Sequence, residues 1–209
     1  MKLVIFGATG TVGCKVVTQA LEEGHQVTAF SRHPEKLNLR QENLQLFAGD
    51  VMDVATVEEA IQGQDAVVCV LGSGKKLSGN VRSEGTRNII QAMEKTGVRR
   101  LICQSTLGAG DSWSNLDFYW KYVMFGFLLR KVFADHLLQE RLVEQSQLDW
   151  TIVRPSAFID GDRTGKYRHG FAGDEKITNL TISRADVADF IVQQLTNTLY
   201  IGKTPGLSY

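Results

Sequence analysis

Short apolar runs alternate with segments of helical periodicity along most of the chain. Lys2-Leu3-Val4-Ile5-Phe6 predicts a strand that ends at Gly7. Over residues 11–23, Val12, Val16, Val17, Ala20 and Leu21 fall on one helical face, and Gly24 follows as a C-terminal cap. Further strands are predicted at 26–31, 44–48, 65–71 and 99–104 and from Trp150 to Val153, with helices at 54–62 and 84–96. Ser183-Arg-Ala-Asp186 has the form of a relaxed capping box and opens a last helix with Val187, Phe190, Ile191, Gln194 and Leu195 along one stripe. Asp186 there complements the helix dipole, so its reading is structural. Short buried strands separated by helices imply parallel pairing, because crossover helices cover both faces of the sheet. The expected architecture is one α/β domain over residues 1–209 with a small C-terminal elaboration.

Composition fits that reading. The chain has 209 residues, 43% of them hydrophobic and 22% charged, values ordinary for a folded soluble domain. A chain of this length buries roughly 70% of its unfolded surface and needs neither metal nor disulfide to hold a core. Twenty-three basic residues balance twenty-three acidic ones, which argues against general nucleic-acid binding. Cys14, Cys69 and Cys103 are widely spaced in apolar stretches, so no zinc site or disulfide framework is expected. The apolar start is too short for a signal peptide, and no run reaches the ~18 residues of a membrane span. A cytoplasmic protein is expected.

Candidate chemistry begins at Gly7-Ala-Thr-Gly10-Thr-Val-Gly13, between the first strand and the first helix. In that context the three glycines fit a dinucleotide turn: Gly7 for the bend, Gly10 for backbone approach to a pyrophosphate, Gly13 for close packing of the helix. Free amides of the first turn, with Val12 among them, then face the phosphates. Thr9 and Thr11 add hydroxyl donors.

The end of the second strand selects the dinucleotide. An acid there bonds the ribose hydroxyls of NAD, but this chain reads Phe30-Ser31-Arg32-His33-Pro34. Arg32 is placed to take a 2′-phosphate in a forked, charge-assisted contact, with Ser31 and Lys36 in support. NADP(H) is therefore the expected cofactor. Gly49-Asp50-Val51 and Leu71-Gly72-Ser73-Gly74 follow the third and fourth strands, at the sheet edge where open α/β folds bind ligands. Asp50 suits the adenine amino group, and the small residues suit close passage of the ribose and pyrophosphate.

These segments, with Ser83-Glu-Gly-Thr-Arg-Asn88 and Asp149-Trp-Thr-Ile-Val-Arg-Pro155, resemble the atypical short-chain dehydrogenase/reductases over nearly the whole chain. Gly63-Gln-Asp-Ala-Val-Val, Leu77-Ser78, Gln104-Ser105-Thr106, Asp135-His136 and a final tyrosine are similar to the branch of NADPH-dependent flavin reductases of the biliverdin reductase B type. The resemblance implies a Rossmann-like, doubly wound parallel sheet and hydride transfer from NADPH to flavins (FMN or FAD), with linear tetrapyrroles such as biliverdin as a further class of planar acceptor. It further implies that Ser105 sits beside the nicotinamide as the catalytic residue, that His136 lies near the nicotinamide ribose, and that Arg154-Pro155-Ser156 closes on the nicotinamide. A histidine stands in that branch about where this chain has Ser156, so the histidine's role does not carry over.

Ordinary members of the superfamily use a Tyr-x-x-x-Lys pair, which would fall here at Val132 and His136. The acid for carbonyl chemistry is thus missing, whereas reduction of a conjugated ring does not require it. Residues 113–127 hold seven of the chain's eighteen aromatics: Trp113, Phe118, Tyr119, Trp120, Tyr122, Phe125 and Phe127. Such rings could stack on a flat acceptor, and Lys121 and Arg130 could meet its phosphate or carboxylates. The alternative reading is a non-catalytic NADP-binding regulator or assembly factor similar to the NmrA-like proteins.

Overall fold

The computed structural model describes residues 1–72, 79–171, 175, 177 and 179–209. Its main sheet has eight strands in the order β3-β2-β1-β4-β5-β6-β10-β8. These are β1 (Lys2–Phe6), β2 (Gln26–Ser31), β3 (Leu44–Ala48), β4 (Ala66–Cys69), β5 (Arg100–Gln104), β6 (Asp149–Pro155), β8 (Arg168–His169) and β10 (Gly206–Ser208). The first seven in that order are parallel, and only β8 runs antiparallel, on β10. The short strands β7 (Ala157–Ile159) and β9 (Thr181–Ser183) pair separately.

Alternation along the strands builds two cores. Leu3 and Ile5 point to the face covered by α1 (Gly13–Glu22) and α5 (Arg184–Gln193), among Val16, Val17, Phe190 and Ile191. Val4 and Phe6 point to the opposite face, covered by α2 (Val54–Ile61), α3 (Val81–Thr96) and α4 (Arg130–Gln145). Two-sided burial is what a parallel sheet demands of its strands. Strand order reverses between β1 and β4, so the crevice for a ligand lies beyond their carboxyl ends.

Several boundaries differ from the periodicity reading, each for a local reason. α3 starts at Val81 rather than residue 84, because the Asp135 carboxylate on α4 accepts from the Arg82 and Ser83 amides, both at 3.1 Å. This cap comes from 52 residues away and leaves no local trace. β4 stops at Cys69, and β6 continues to Pro155. The Ser183 hydroxyl accepts from the Asp186 amide at 3.0 Å and caps α5 as expected. The Asp186 carboxylate is buried and binds the Thr164 and Gly165 amides and the Tyr209 hydroxyl at 2.7, 2.9 and 2.7 Å. It fastens the C-terminal loop. Cys69 and Cys103 are buried neighbours in register on β4 and β5, whereas Cys14 is only half-buried on α1.

Residues 105–148, which carry no strand or helix expectation except as an aromatic stretch, form a 3-10 turn (Gly110–Asn115), a π-helix (Tyr119–Leu128) and α4. The π-helix closes with the Leu129 amide donating to the Met124 carbonyl at 2.6 Å. Such i→i+5 winding is rare and concentrates at functional sites.

Candidate functional site

β1 delivers the chain into its glycine turn at the switch point. Gly7 has φ +85°, and a Cβ there would lie 2.5 Å from the Val70 carbonyl oxygen. Gly13 is fixed differently from expectation: a Cβ would lie 2.1 Å from the Gly7 carbonyl oxygen, so its close packing is against the turn itself. No side chain caps α1. The Thr11 and Val12 amides make no backbone bond among the described residues, which leaves them and the positive end of the helix for an anion.

A cavity of about 1000 Å³ runs from this turn across the carboxyl ends of the strands, at the upper end of the ~300–1,000 Å³ usual for ligand pockets. Gly7, Thr9, Gly10, Thr11 and Val12 line its start. Arg32 and Lys36 border it beyond β2, Asp50 and Val51 beyond β3, and Leu71 and Gly72 beyond β4. Arg32 is exposed and has no ion-pair partner among the described residues. Asp50 accepts from the Met52 amide at 3.0 Å, which fixes its carboxylate in the turn. Ser73, Gly74, Leu77 and Ser78 lie outside the described residues.

The far end of the cavity is bordered by Ser105, Val132, His136, Pro155 and Ser156. β5 and β6 hold Ser105 through its amide, which donates to the Val153 carbonyl at 2.8 Å. Six cavity-lining residues, Arg82, Gln104, Ser105, His136, Ser156 and Arg184, carry buried side-chain polar atoms without a hydrogen-bond partner among the described residues. Buried polar groups are nearly always paired, so a row of orphans along one cavity marks where a polar ligand completes the bonding. Val132 stands one helical turn before His136, and no tyrosine lines this end among the described residues. Burial, with the Arg82 charge beside it, pushes the His136 pKa down to about 3. The imidazole is therefore neutral at physiological pH, and its Nδ1 is buried without a hydrogen-bond partner among the described residues.

α4 is braced by polar contacts made with motifs distant in sequence. The Ser83 hydroxyl donates to Asp135 at 2.5 Å, and Gln139 Nε2 donates to the Thr86 hydroxyl at 3.0 Å. These bonds set the rotation of α4 that turns Val132 and His136 toward the cavity.

Arg154 departs from its expected place. It does not line the cavity, and its guanidinium is buried against Glu140, with bonds of 3.0 and 2.8 Å, and against Asp111. Burial works against the charge, but Glu140 and Asp111 more than offset it and hold the pKa above the ordinary guanidinium range. Pro155 and Ser156 border the cavity, while Arg154 is held away from it by its bonds to Glu140 and Asp111. Gly13 likewise lies behind the lining.

Of the seven clustered aromatics, only Trp120 and Phe125 line the cavity. Trp113 packs on Phe133 with ring centroids 5.5 Å apart. Lys121 and Arg130 also stay outside. Besides Arg32 and Lys36, the arginines Arg82 and Arg184, not expected from the sequence, also border the cavity. Arg82 directly precedes the Ser83-Glu-Gly motif, and Arg184 sits inside the cap of α5, where it pairs with Asp160 at 2.7 Å. Their positions beside recognised motifs were the available signal.

A parallel sheet with its switch point at a glycine turn, opening on one long cavity, defines an NAD(P)-binding Rossmann protein. The chain matches the family described as NAD(P)H-binding over residues 7–198 and belongs to it. Its cofactor class is accordingly NAD(P)H. The chain is 30% identical to UPF0659 protein YMR090W of Saccharomyces cerevisiae, over 93% of this chain and 87% of that protein. It is 26% identical to the photosystem II assembly factor Ycf39 of Synechocystis, over 77% of this chain but 46% of that protein. Among solved structures, ChuY, an anaerobillin reductase of Escherichia coli O157:H7, is similar at a TM-score of 0.80 and 29% identity, covering 100% of this chain and 97% of that one. No helix among the described residues is long and apolar enough to cross a membrane.

Proposed function

We propose that the protein is an NADPH-dependent reductase that passes hydride to a planar conjugated acceptor: a flavin (FMN or FAD) or a linear tetrapyrrole such as biliverdin. The observation that carries this reading is the row of unpaired polar atoms at Gln104, Ser105, His136 and Ser156, at a cavity end with Val132 in place of an acid. The similarity to a tetrapyrrole reductase of nearly equal length supports the acceptor class.

The residues fit the cofactor. The Thr11 and Val12 amides and the start of α1 take the pyrophosphate, and Arg32, with Lys36, takes the 2′-phosphate that distinguishes NADPH. When bound, the nicotinamide supplies hydride chemistry. Ser105, as the catalytic residue, offers its hydroxyl to the nicotinamide carboxamide or the acceptor. Neutral His136 presents an uncharged ring and so places no positive charge against an oxidised nicotinamide. Trp120 and Phe125 provide flat apolar walls for the acceptor. Arg82 and Arg184 put positive charge where negative charge gathers on a reduced ring or on acceptor carboxylates. The ring delocalises that charge, so the proton can come from solvent.

A second reading, an NADP-binding assembly factor, is favoured by the similarity to Ycf39. One assay separates the two: NADPH oxidation followed with FMN, FAD, biliverdin and a simple quinone in turn. Turnover of a flavin or tetrapyrrole is the expected result. Tight NADPH binding with no turnover of any acceptor would overturn the reductase reading in favour of the second.

A further inference from the structure

The π-helical segment has two faces, and the proposed chemistry uses only one. Leu116, Trp120, Phe125 and Leu129, spaced by four or five residues, turn inward and line the cavity. The same spacing, which i→i+5 winding brings to one side, puts Phe118, Tyr122 and Phe127 on the outer side. Tyr119, Val123 and Leu128 form a second row beside them. Phe127 is 80% exposed, Phe118 72%, Tyr122 60% and Leu128 56%. A contiguous apolar patch of this kind on a soluble domain marks an interaction site rather than ordinary surface.

The chemistry around the patch identifies what it meets. Residues 118–134 contain no Asp or Glu outside or inside the patch and three cations, Lys121, Arg130 and Lys131, on a chain that is neutral as a whole. Arg130 and Lys131 are exposed at the C-terminal end of the apolar face. Exposed Phe and Leu with tyrosines among them, and the exposed cations Arg130 and Lys131 at the C-terminal end, suit the plane between headgroups and acyl chains of an anionic bilayer; the one adjoining acid, Asp117, lies at the N-terminal end, where it accepts from the Trp120 amide. A second copy of the chain fits poorly, since residues 118–134 hold no acid to pair with Lys121, Arg130 and Lys131 across a two-fold contact. The core of a protein interface is depleted in lysine, which also disfavours that occupant.

We propose that the outer face of residues 118–131 docks the protein peripherally on an anionic lipid surface. Docking places the cavity end bordered by Trp120, Phe125 and Leu129 next to the lipid, because one element forms both faces. The proposal does not depend on the reductase reading, as it concerns binding alone.

Vesicle flotation tests it, with phosphatidylcholine alone and with phosphatidylcholine plus phosphatidylserine. The expected result is binding to the serine-containing vesicles, weakened by added salt. Phe118→Ser with Phe127→Ser should reduce binding by more than about tenfold, with NADPH affinity unchanged because neither ring lines the cavity. Lys121→Gln with Arg130→Gln and Lys131→Gln should remove the preference for phosphatidylserine. No vesicle binding, or equal binding to both vesicle types by the wild-type protein, would overturn the proposal. So would a wild-type dimer, seen by light scattering, that the double serine variant converts to monomer.

Discussion

The Arg154 guanidinium is locked to the Glu140 carboxylate by two bonds, of 3.0 and 2.8 Å, from Nε and Nη2. This pair joins β6 to α4, the two elements that carry Ser156 and His136 to the cavity. Both side chains are almost wholly buried, whereas Asp111, the third member, is largely exposed. Breaking a buried pair from one side strands a charge, at a cost of about 3–5 kcal/mol. Arg154→Met should lose stability on that scale in urea unfolding. Asp111→Asn, losing an exposed partner, should cost less than about 1 kcal/mol. Similar losses for the two would show that Glu140 is not the partner that matters.

His136 gives the stability a pH dependence of known sign. Its folded pKa of about 3 lies below the ordinary value of 6.5, so between those values the unfolded chain takes up a proton that the folded chain refuses. Its contribution to stability is full above pH 6.5 and declines as pH falls through that window, approaching about 1.4 kcal/mol per pH unit. His136→Gln should have a shallower stability slope than wild type between pH 6.5 and 4. Superimposable slopes would mean that the imidazole is protonated in the folded state.

Arg32 is expected to read the 2′-phosphate. Charge-assisted bonds contribute roughly 1.5–3 kcal/mol, so Arg32→Ala should weaken NADPH binding by about ten- to hundredfold and NADH binding little. Calorimetric titration with both nucleotides checks this, and equal losses would remove Arg32 from that role.

What could be read from the residues followed how local the signals are. The strands up to Gln104, α1 and α2, and the capped start of α5 were legible because period and capping are encoded within a few positions. The π-helix was not, since its i→i+5 winding matches neither the helical nor the strand period. β7, β9 and β10 each span three residues, and pairing with distant chain defines them. Gly7, Gly10, Arg32, Ser105 and His136 stood out through motif and context, and all five border the cavity. Arg82 and Arg184 were hidden because each sits beside a residue with an evident structural task, and Arg154 is kept off the cavity by its buried pair with Glu140, a partner 14 residues away that local pattern does not reveal.

In the proposed reaction, hydride is transferred at a site without a positioned acid. A carbonyl reductase concentrates charge on one oxygen, where such an acid contributes 10²–10⁴-fold, and Val132 occupies that place here. The most direct measurement is single-turnover oxidation of bound NADPH by FMN and by a simple ketone, in wild type and in Ser105→Ala across pH. FMN should be reduced and the ketone should not, and Ser105→Ala should slow FMN reduction modestly by loosening nicotinamide or acceptor placement. Efficient ketone reduction, or near-complete loss of FMN reduction in Ser105→Ala, would contradict it.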